Sequence, residues 1–363
     1  MRMHPTVAAA AVGLVLATGL ALACSAPATA PTSGAPPPAS PAVTAPGVPP
    51  AATPASGTPA REPFTYGQVS VFALYWPHYV GMHRGFFAEE GLEFERVVSQ
   101  SAAQLISGVA SGSIQAGSAL PDGVVRAIEQ GAPLTIAAVE MDTATYSLMT
   151  TPRIRSFADL RGKPVGAAEA RGAATLILRK MLAANGLNEG DYDLVIAGGT
   201  RERYAALKAG TIDAGLLGQP QDFQLADEGF PRLAMSTDYL TPYTFSAITI
   251  NREWARQNAD RMRRYLRGLI RSARWLNDPA NKTAAIQILG DETRTEERYA
   301  RLTYELYIEQ LQVMPREAEI DPRGIERVLE LMVEDGDLPA PAPPASRYID
   351  TSFWTQARAS LGQ

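Results

Sequence analysis

The chain has 363 residues, close to half of them apolar, and a formal net charge of −5 at neutral pH. That length is enough for two lobes with cores of their own, and the mild negative balance excludes the basic footprint that nucleic-acid binding needs. A single cysteine excludes a disulfide framework, and three histidines are too few for a His-rich metal centre.

Arg2 and His4 precede the apolar run Val7 to Leu22, which ends in Ala21-Leu22-Ala23-Cys24. A small-residue cleavage site after an apolar stretch too short for a stop-transfer helix reads as an export signal over residues 1–23. The cysteine directly after the small residue resembles a bacterial lipobox, with Ala21 where that motif usually has Leu. The resemblance implies lipidation of Cys24; ordinary cleavage would leave it a free thiol. Residues 24–63 are almost wholly Pro, Ala, Ser, Thr and Gly, a composition that buries no core and forms a semi-rigid tether, roughly 3 Å per residue where extended.

The folded part is expected to open with a strand over Gln68 to Leu74, placing Tyr75 and Trp76 at its carboxyl end and Pro77 at the first position of a helix. Adjacent residues at a strand end point opposite ways, so one of the two aromatics should reach a crevice. Gly91 stops this unit, and Leu92 to Val97 alternates as a second strand. Ser99-Gln100-Ser101 caps a helix running to Gly112, Ile114 to Ser118 forms a strand, and a helix after Pro121 runs to Gly131. Leu134 to Glu140 and Tyr146 to Thr150 are extended, with a crossover between them. In the second half, Ser156 caps a turn before a strand near Val165. A helix follows the loop Ala168 to Gly172, a strand covers Asp191 to Ala197, a helix follows Gly198-Gly199-Thr200, and a strand covers Ile212 to Leu217. After the strand Tyr243 to Ile250, Asn251 caps a helical C-terminal region. Its arginines at 261, 263, 264, 267, 271 and 274 lie on the solvated face of one amphipathic helix.

A repeat emerges from this reading. Gly112-Ser113-Ile114-Gln115-Ala116-Gly117 matches Gly210-Thr211-Ile212-Asp213-Ala214-Gly215, and at the same offset Gly131 matches Gly229 and Pro133 matches Pro231. A series at one constant offset argues for two lobes of the same strand-helix plan.

Trp76-Pro77, Arg84-Gly85-Phe86-Phe87, Glu90-Gly91-Leu92, the two glycine hexapeptides and Asp159-Leu160-Arg161-Gly162-Lys163-Pro164-Val165-Gly166 together resemble the periplasmic substrate-binding proteins of nitrate, sulfonate, taurine and thiamine-precursor ABC transporters. The resemblance covers about Phe64 to Leu361. It implies an α/β, two-lobed periplasmic-binding-protein fold of type II, with residues 64–145 plus 246–363 as one lobe, 146–245 as the other, and crossover strands between them. It further implies a monomer exported from the cell, held by lipidated Cys24 on the periplasmic or outer face of a bacterial membrane. There it would carry a small organic ligand to an ABC permease without cofactor or metal.

Carried over position by position, the resemblance implies a ligand site made by Tyr75, Trp76 and His78 at the first strand-helix seam, and by Gln100 and Ser101 at the second. Ser118 and Ala119 in one lobe and Gly218 and Gln219 in the other follow from the repeat. Glu140 and Asp142 come from the crossover, and Arg171, Gly172 and Ala173 from the loop opening the second lobe's first helix. Each has a plainer reading: Ser101, Gly172 and Ala173 as helix starts, Arg171 as solvated, Glu140 as locally paired. Helix N-termini suit an anionic head group, Glu140 and Asp142 suit a cationic one, and the aromatic pair with Gln100 and Gln219 suits a small organic molecule over an inorganic ion. The rival class is an enzyme on the same fold acting on a small heteroaromatic or sulfur compound. Desulfinases that use a cysteine nucleophile and a yeast-type pyrimidine synthase with a Cys-rich motif and a reactive histidine share the architecture, but this chain's one cysteine is Cys24, and no nucleophile-elbow pattern appears.

Overall fold

The computed structural model describes residues 60–362, so the expected signal, most of the tether and Cys24 lie outside the described residues. The first half runs β1 (Glu62–Gln68), α1 (Trp76–His83), α2 (Phe86–Glu89), β2 (Leu92–Val98), α3 (Ala102–Ser111), β3 (Ala116–Ala119), α4 (Pro121–Glu129) and β4 (Leu134–Met141). Then come β5 (Ser147–Thr150), β6 (Pro164–Ala167), α5 (Ala173–Ala184), β7 (Asp193–Ile196), α6 (Thr200–Ala209), β8 (Ala214–Leu217), α7 (Gln221–Asp227) and β9 (Arg232–Met235). β10 (Ser246–Asn251) leads into α8 (Arg252–Gln257), α9 (Ala259–Leu276), α10 (Lys282–Thr293), α11 (Glu297–Tyr304), α12 (Pro322–Glu334) and α13 (Ser352–Ser360).

The strands form two sheets of one plan, β2-β1-β3-β10-β4 and β7-β6-β8-β5-β9. β1 pairs in parallel with β2 and β3, as β6 does with β7 and β8. The strand carrying the chain across, β10 or β5, runs antiparallel in each. The repeat is visible at residue level: α3 and α6 both end on a left-handed glycine, Gly112 at φ 79° and Gly210 at φ 69°. The central registers also correspond, Gly67 opposite Gly117 and Gly166 opposite Gly215. A Cβ on Gly67 would lie 2.3 Å from Leu105, and one on Gly166 2.4 Å from Ile212, so glycine is what lets an apolar side chain lie flat on each sheet.

β1 departs from expectation. The strand is Glu62–Gln68, not Gln68 to Leu74, and it begins inside the stretch read as tether. Phe64 and Tyr66 point into the core, with Phe64 stacked 4.5 Å from Tyr265, and all seven residues pair with β2. The apolar run Val69 to Leu74 leaves the sheet, because part of its apolar surface faces a cavity between the lobes. Tyr75 and Trp76 therefore sit at a helix start and not at a strand end.

The arginines of α9 are tied down. Arg261 and Arg264 pair with Glu62, Arg267 with Glu90, Arg271 with Glu89 and Glu90, and Arg274 with Glu317, while Met262, Leu266, Leu269 and Ile270 are buried behind them. Among the described residues no helix is long and apolar enough to cross a membrane.

Candidate ligand-binding site

In each lobe the parallel strands run in the same direction, and their carboxyl ends, with the helix N-termini that follow, face the other lobe across a cavity of about 910 Å³. Sites at such strand ends are the common location for ligands in open α/β sheets. The first lobe supplies a mostly apolar wall: Val69 to Phe72, Leu74 and Tyr75 beyond β1, Leu105 of α3, Ala119 and Leu120 at the end of β3, and Phe245 before β10. Gln100, Ser118 and Ser246 are polar points on it. The second lobe supplies Ala168 and Glu169 after β6, Tyr146, Gln221, and the whole first turn of α6 from Gly199 to Arg203. Arg96 and the end of α10, Glu292 to Arg294, form the rim. Burial opposes ionisation of Glu292, but hydrogen bonds from Arg96 and His83 hold its carboxyl below the usual range, so this part of the rim is internally neutralised.

Behind Ser118 and Ser246 lies a buried polar cluster. The Glu140 carboxylate accepts from Ser118 Oγ, from Ser246 Oγ at 3.3 Å and from the Tyr66 hydroxyl at 3.5 Å, and His78 Nδ1 lies 2.5 Å from its Oε1. His78 Nε2 in turn lies 2.9 Å from the Tyr265 hydroxyl, and its ring stacks on Tyr66 at 3.7 Å. Every lone pair has a partner, which is the condition for keeping a carboxylate in a core.

The second lobe's wall carries a different kind of charge. Arg203 is 2 % exposed, its Nε donates to the Leu216 carbonyl at 2.7 Å and its Nη1 to the Gly198 carbonyl. No carboxylate among the described residues forms an ion pair with it. Burial pulls its pKa down, against attraction from the Tyr146 phenol and Glu202. Burial and then the neighbouring Asp122 push the Glu169 carboxyl up. Gln221 Oε1, in the same wall, is buried without a hydrogen-bond partner.

Of the residues expected at the site, Tyr75, Gln100, Ser118 and Ala119 line the cavity together. The structure does not bring the others to it. Trp76 is wholly buried between α1 and the C-terminal helices, its Nε1 donating to the Ala285 carbonyl at 3.2 Å, because the shifted strand end turns it inward. His78 and Glu140 stand behind the wall, as described. Ser101 caps α3, its Oγ accepting from Gln104 N. Asp142 lies in the crossover, its N–H donating to the Val313 carbonyl, and burial pushes its pKa up to about 6. Arg171 is exposed and absent from the cavity lining, donating to the Asp335 carbonyl and pairing with Asp337 after α12. Gly172 and Ala173 line a narrow crevice beside α12; Gly172 holds φ 138° with Glu169 Oε1 where a Cβ would stand. Gly218 is buried, its N–H facing Thr200 Oγ1 at 3.4 Å. Gln219 is fully buried and bonded to Asp222 and Tyr307. Tyr307 lies in the π-helical turn Glu305–Gln310 that prolongs α11 and also takes a hydrogen bond from Thr145, which ties the C-terminal helices to the crossover.

Sequence reasoning missed Arg203, Gln221, Tyr146 and Phe245. For Arg203 a signal existed: two arginines, Arg201 and Arg203, in the first turn of a helix oppose its dipole, which needs a reason. Among the described residues no group of three His, Cys, Asp or Glu is placed to hold a metal ion.

Two sheets of order 2-1-3-n-4, each with one antiparallel crossover strand and a cleft at the strand ends, define the two-lobed periplasmic-binding-protein fold of type II. Solved structures agree. The periplasmic nitrate-binding protein NrtA of Synechocystis PCC 6803 superposes with TM-score 0.70 at 16% identity, covering 83% of this chain and 89% of that one. The alkanesulfonate-binding protein SsuA of Xanthomonas axonopodis, bound to MOPS, gives TM-score 0.61 at 18% identity, covering 82% and 98%. In sequence, the nitrate/nitrite binding protein NrtA of Synechococcus elongatus is 29% identical over 148 residues, 39% of this chain and 33% of the relative, so the match spans about a third of that protein's length. The NMT1/THI5-like family model matches residues 75–282, more than half of the chain. The chain belongs to the NMT1/THI5-like family.

Proposed function

We propose that this protein is the solute-binding component of an ABC importer, capturing a small organic molecule between its two lobes and delivering it to a membrane permease. The observation that carries this reading is the cavity of about 910 Å³ at the strand ends. It is far larger than an inorganic ion needs and within the range of small-molecule sites, with a mostly apolar and aromatic wall on the first lobe and a wall rich in charged and polar groups on the second. Tyr75, Gln100, Ser118 and Ala119 are proposed contacts from the first lobe, joined by Phe245 and Ser246. An enzyme on this fold that works through a thiol lacks its nucleophile here, because the chain's one cysteine is Cys24, outside the residues that form the two lobes. His78 is held on both ring nitrogens inside the first lobe, which leaves it no lone pair for a ligand.

Capture is proposed to close the cleft by a hinge in the two crossovers, residues 142–146 and 236–245, driven by the higher affinity of the closed state. Small-angle scattering of the full chain, with and without the compound released on denaturing protein purified from its native host, tests this. A smaller radius of gyration at saturation is expected, and identical profiles would count against capture by closure.

Anchoring through lipidated Cys24 on the outer or periplasmic face of the membrane, with residues 24 to about 61 as tether, is proposed from the signal-like N-terminus. Cys24→Ser is expected to move the protein from the membrane fraction to the soluble one or to block its processing; unchanged fractionation and processing would exclude the anchor.

A further inference from the structure

The repeat allows each cleft wall to be read against the other. The offset that carries Gly112 onto Gly210 carries α3 onto α6 and Leu105 onto Arg203. Both residues line the cavity. In the first lobe Leu105 is wholly buried, packed over Gly67 and Gly117. In the second, the aliphatic stem of Arg203 packs over Gly215, its Cδ 3.6 Å from where a Cβ would be. The fold thus fills this position with leucine in one lobe and an arginine in the other. Nothing about packing calls for the cation.

The arginine is costly where it stands. It is 2 % exposed, near the positive end of α6 whose N-cap, Gly199, offers no side-chain acceptor, and its hydrogen bonds go to neutral groups, the carbonyls of Leu216 and Gly198 and the Tyr146 phenol. A buried charge without a counter-ion is strongly disfavoured. Glu202 attracts it without hydrogen-bonding it. Gln221 lines the same cavity; its Oε1 is buried with no partner, and its amide offers a donor or an acceptor according to which way it is turned. Both residues lie on the second lobe. Across the cavity the first lobe presents Phe72 and Tyr75, and the crossover before β10 presents Phe245.

We infer that Arg203 is the specificity-determining cation of the cleft, seating the oxyanion head of an organic anion, a carboxylate or sulfonate, whose apolar body lies against Phe72, Tyr75 and Phe245. This rests on the solute-capture reading. The head group supplies the missing counter-charge, and the guanidinium fork matches two oxygens of a carboxylate or sulfonate. Gln221 completes the seat, and the first-turn N–H groups of α6 lie beside it.

The test uses the full chain and three matched sets of probes read by thermal shift and calorimetry. The acids are benzoate, 3-phenylpropanoate and hexanesulfonate; the neutral set is their primary amides; the cationic set is benzylamine, 3-phenylpropylamine and hexylamine. The parent is expected to bind acids at least tenfold more tightly than the amides. Arg203→Leu, which installs the residue the first lobe already houses, is expected to lose at least tenfold for acids and to keep its weak amide binding, while Arg203→Lys keeps part of the preference. Acids bound no better than amides, or bound by Arg203→Leu as by the parent, would overturn the inference. Should Arg203→Leu fail to fold, the acid-against-amide ratio of the parent still decides. Amines or amides bound in place of acids would overturn the anionic seat and leave solute capture standing, whereas binding of no probe from any set would count against capture itself.

Discussion

Glu140→Ala is expected to cost about 3–5 kcal/mol of folding stability, the range for removing one partner of a buried, hydrogen-bonded pair. Glu140 is 1 % exposed and His78 is 0 % exposed. Four side chains converge on the carboxylate, those of His78, Ser118, Ser246 and Tyr66. Alanine removes the acceptor they share: His78 and Tyr66 lose it inside the core, while Ser118 and Ser246 keep each other at the cavity wall, so the loss is mainly the desolvation of the two buried orphans added to the bonds themselves. His78→Ala should cost a similar amount, and the double variant less than the two together, because the second change removes a group the first has already stranded. Urea unfolding of the three variants checks this. A Glu140→Ala loss below about 1 kcal/mol would mean that the carboxylate is free to meet a ligand and that the cluster is not a structural unit.

Trp76→Ala should cost about 3–5 kcal/mol, as large-to-small changes of buried aromatics do. The indole is 0 % exposed, stands edge-on to Tyr304 with ring centres 5.9 Å apart, and donates to the Ala285 carbonyl. It pins α1 to the C-terminal helices. The milder Trp76→Phe, which keeps most of the apolar contact, is expected to lower the unfolding midpoint while ligand affinity of the folded protein stays within about twofold. Affinity lost with no change in unfolding would return Trp76 to the cleft.

The contrast between Trp76 and its neighbour shows what the sequence made legible. Periodicity, glycine stops and the repeat gave the two-lobed plan and most of the order of strands and helices, since these depend on local pattern and on one offset; α7 (Gln221–Asp227) and β9 (Arg232–Met235) were not read from the sequence. The position of β1 did not follow, because Val69 to Leu74 is as apolar as a buried strand and only the third dimension reveals that part of it faces a cavity. Shifting that strand end turned Trp76 into the core and left Tyr75 at the wall. Glu140 looked like a ligand carboxylate because its partners come from β1, α1, β3 and β10, distant in sequence. Arg203 escaped notice because its stem continues the apolar pattern of α6; its departure from Leu105 in the repeat was a second readable clue beside the two arginines in the first turn of α6.

The account stands or falls on whether a solute occupies the space between the sheets, and filling that space is the direct measurement. Ala102 at the start of α3 and Ala168 after β6 line the cavity from opposite lobes, one exposed and the other half-buried, so a larger side chain on either enters the cleft before it strains the core. Calorimetric titration of Ala102→Trp and Ala168→Trp with the compound released from the native protein is expected to show binding weakened at least tenfold, with unfolding midpoints unchanged. If both variants bound that compound as tightly as the parent, the ligand would sit elsewhere and the cleft would not be the site.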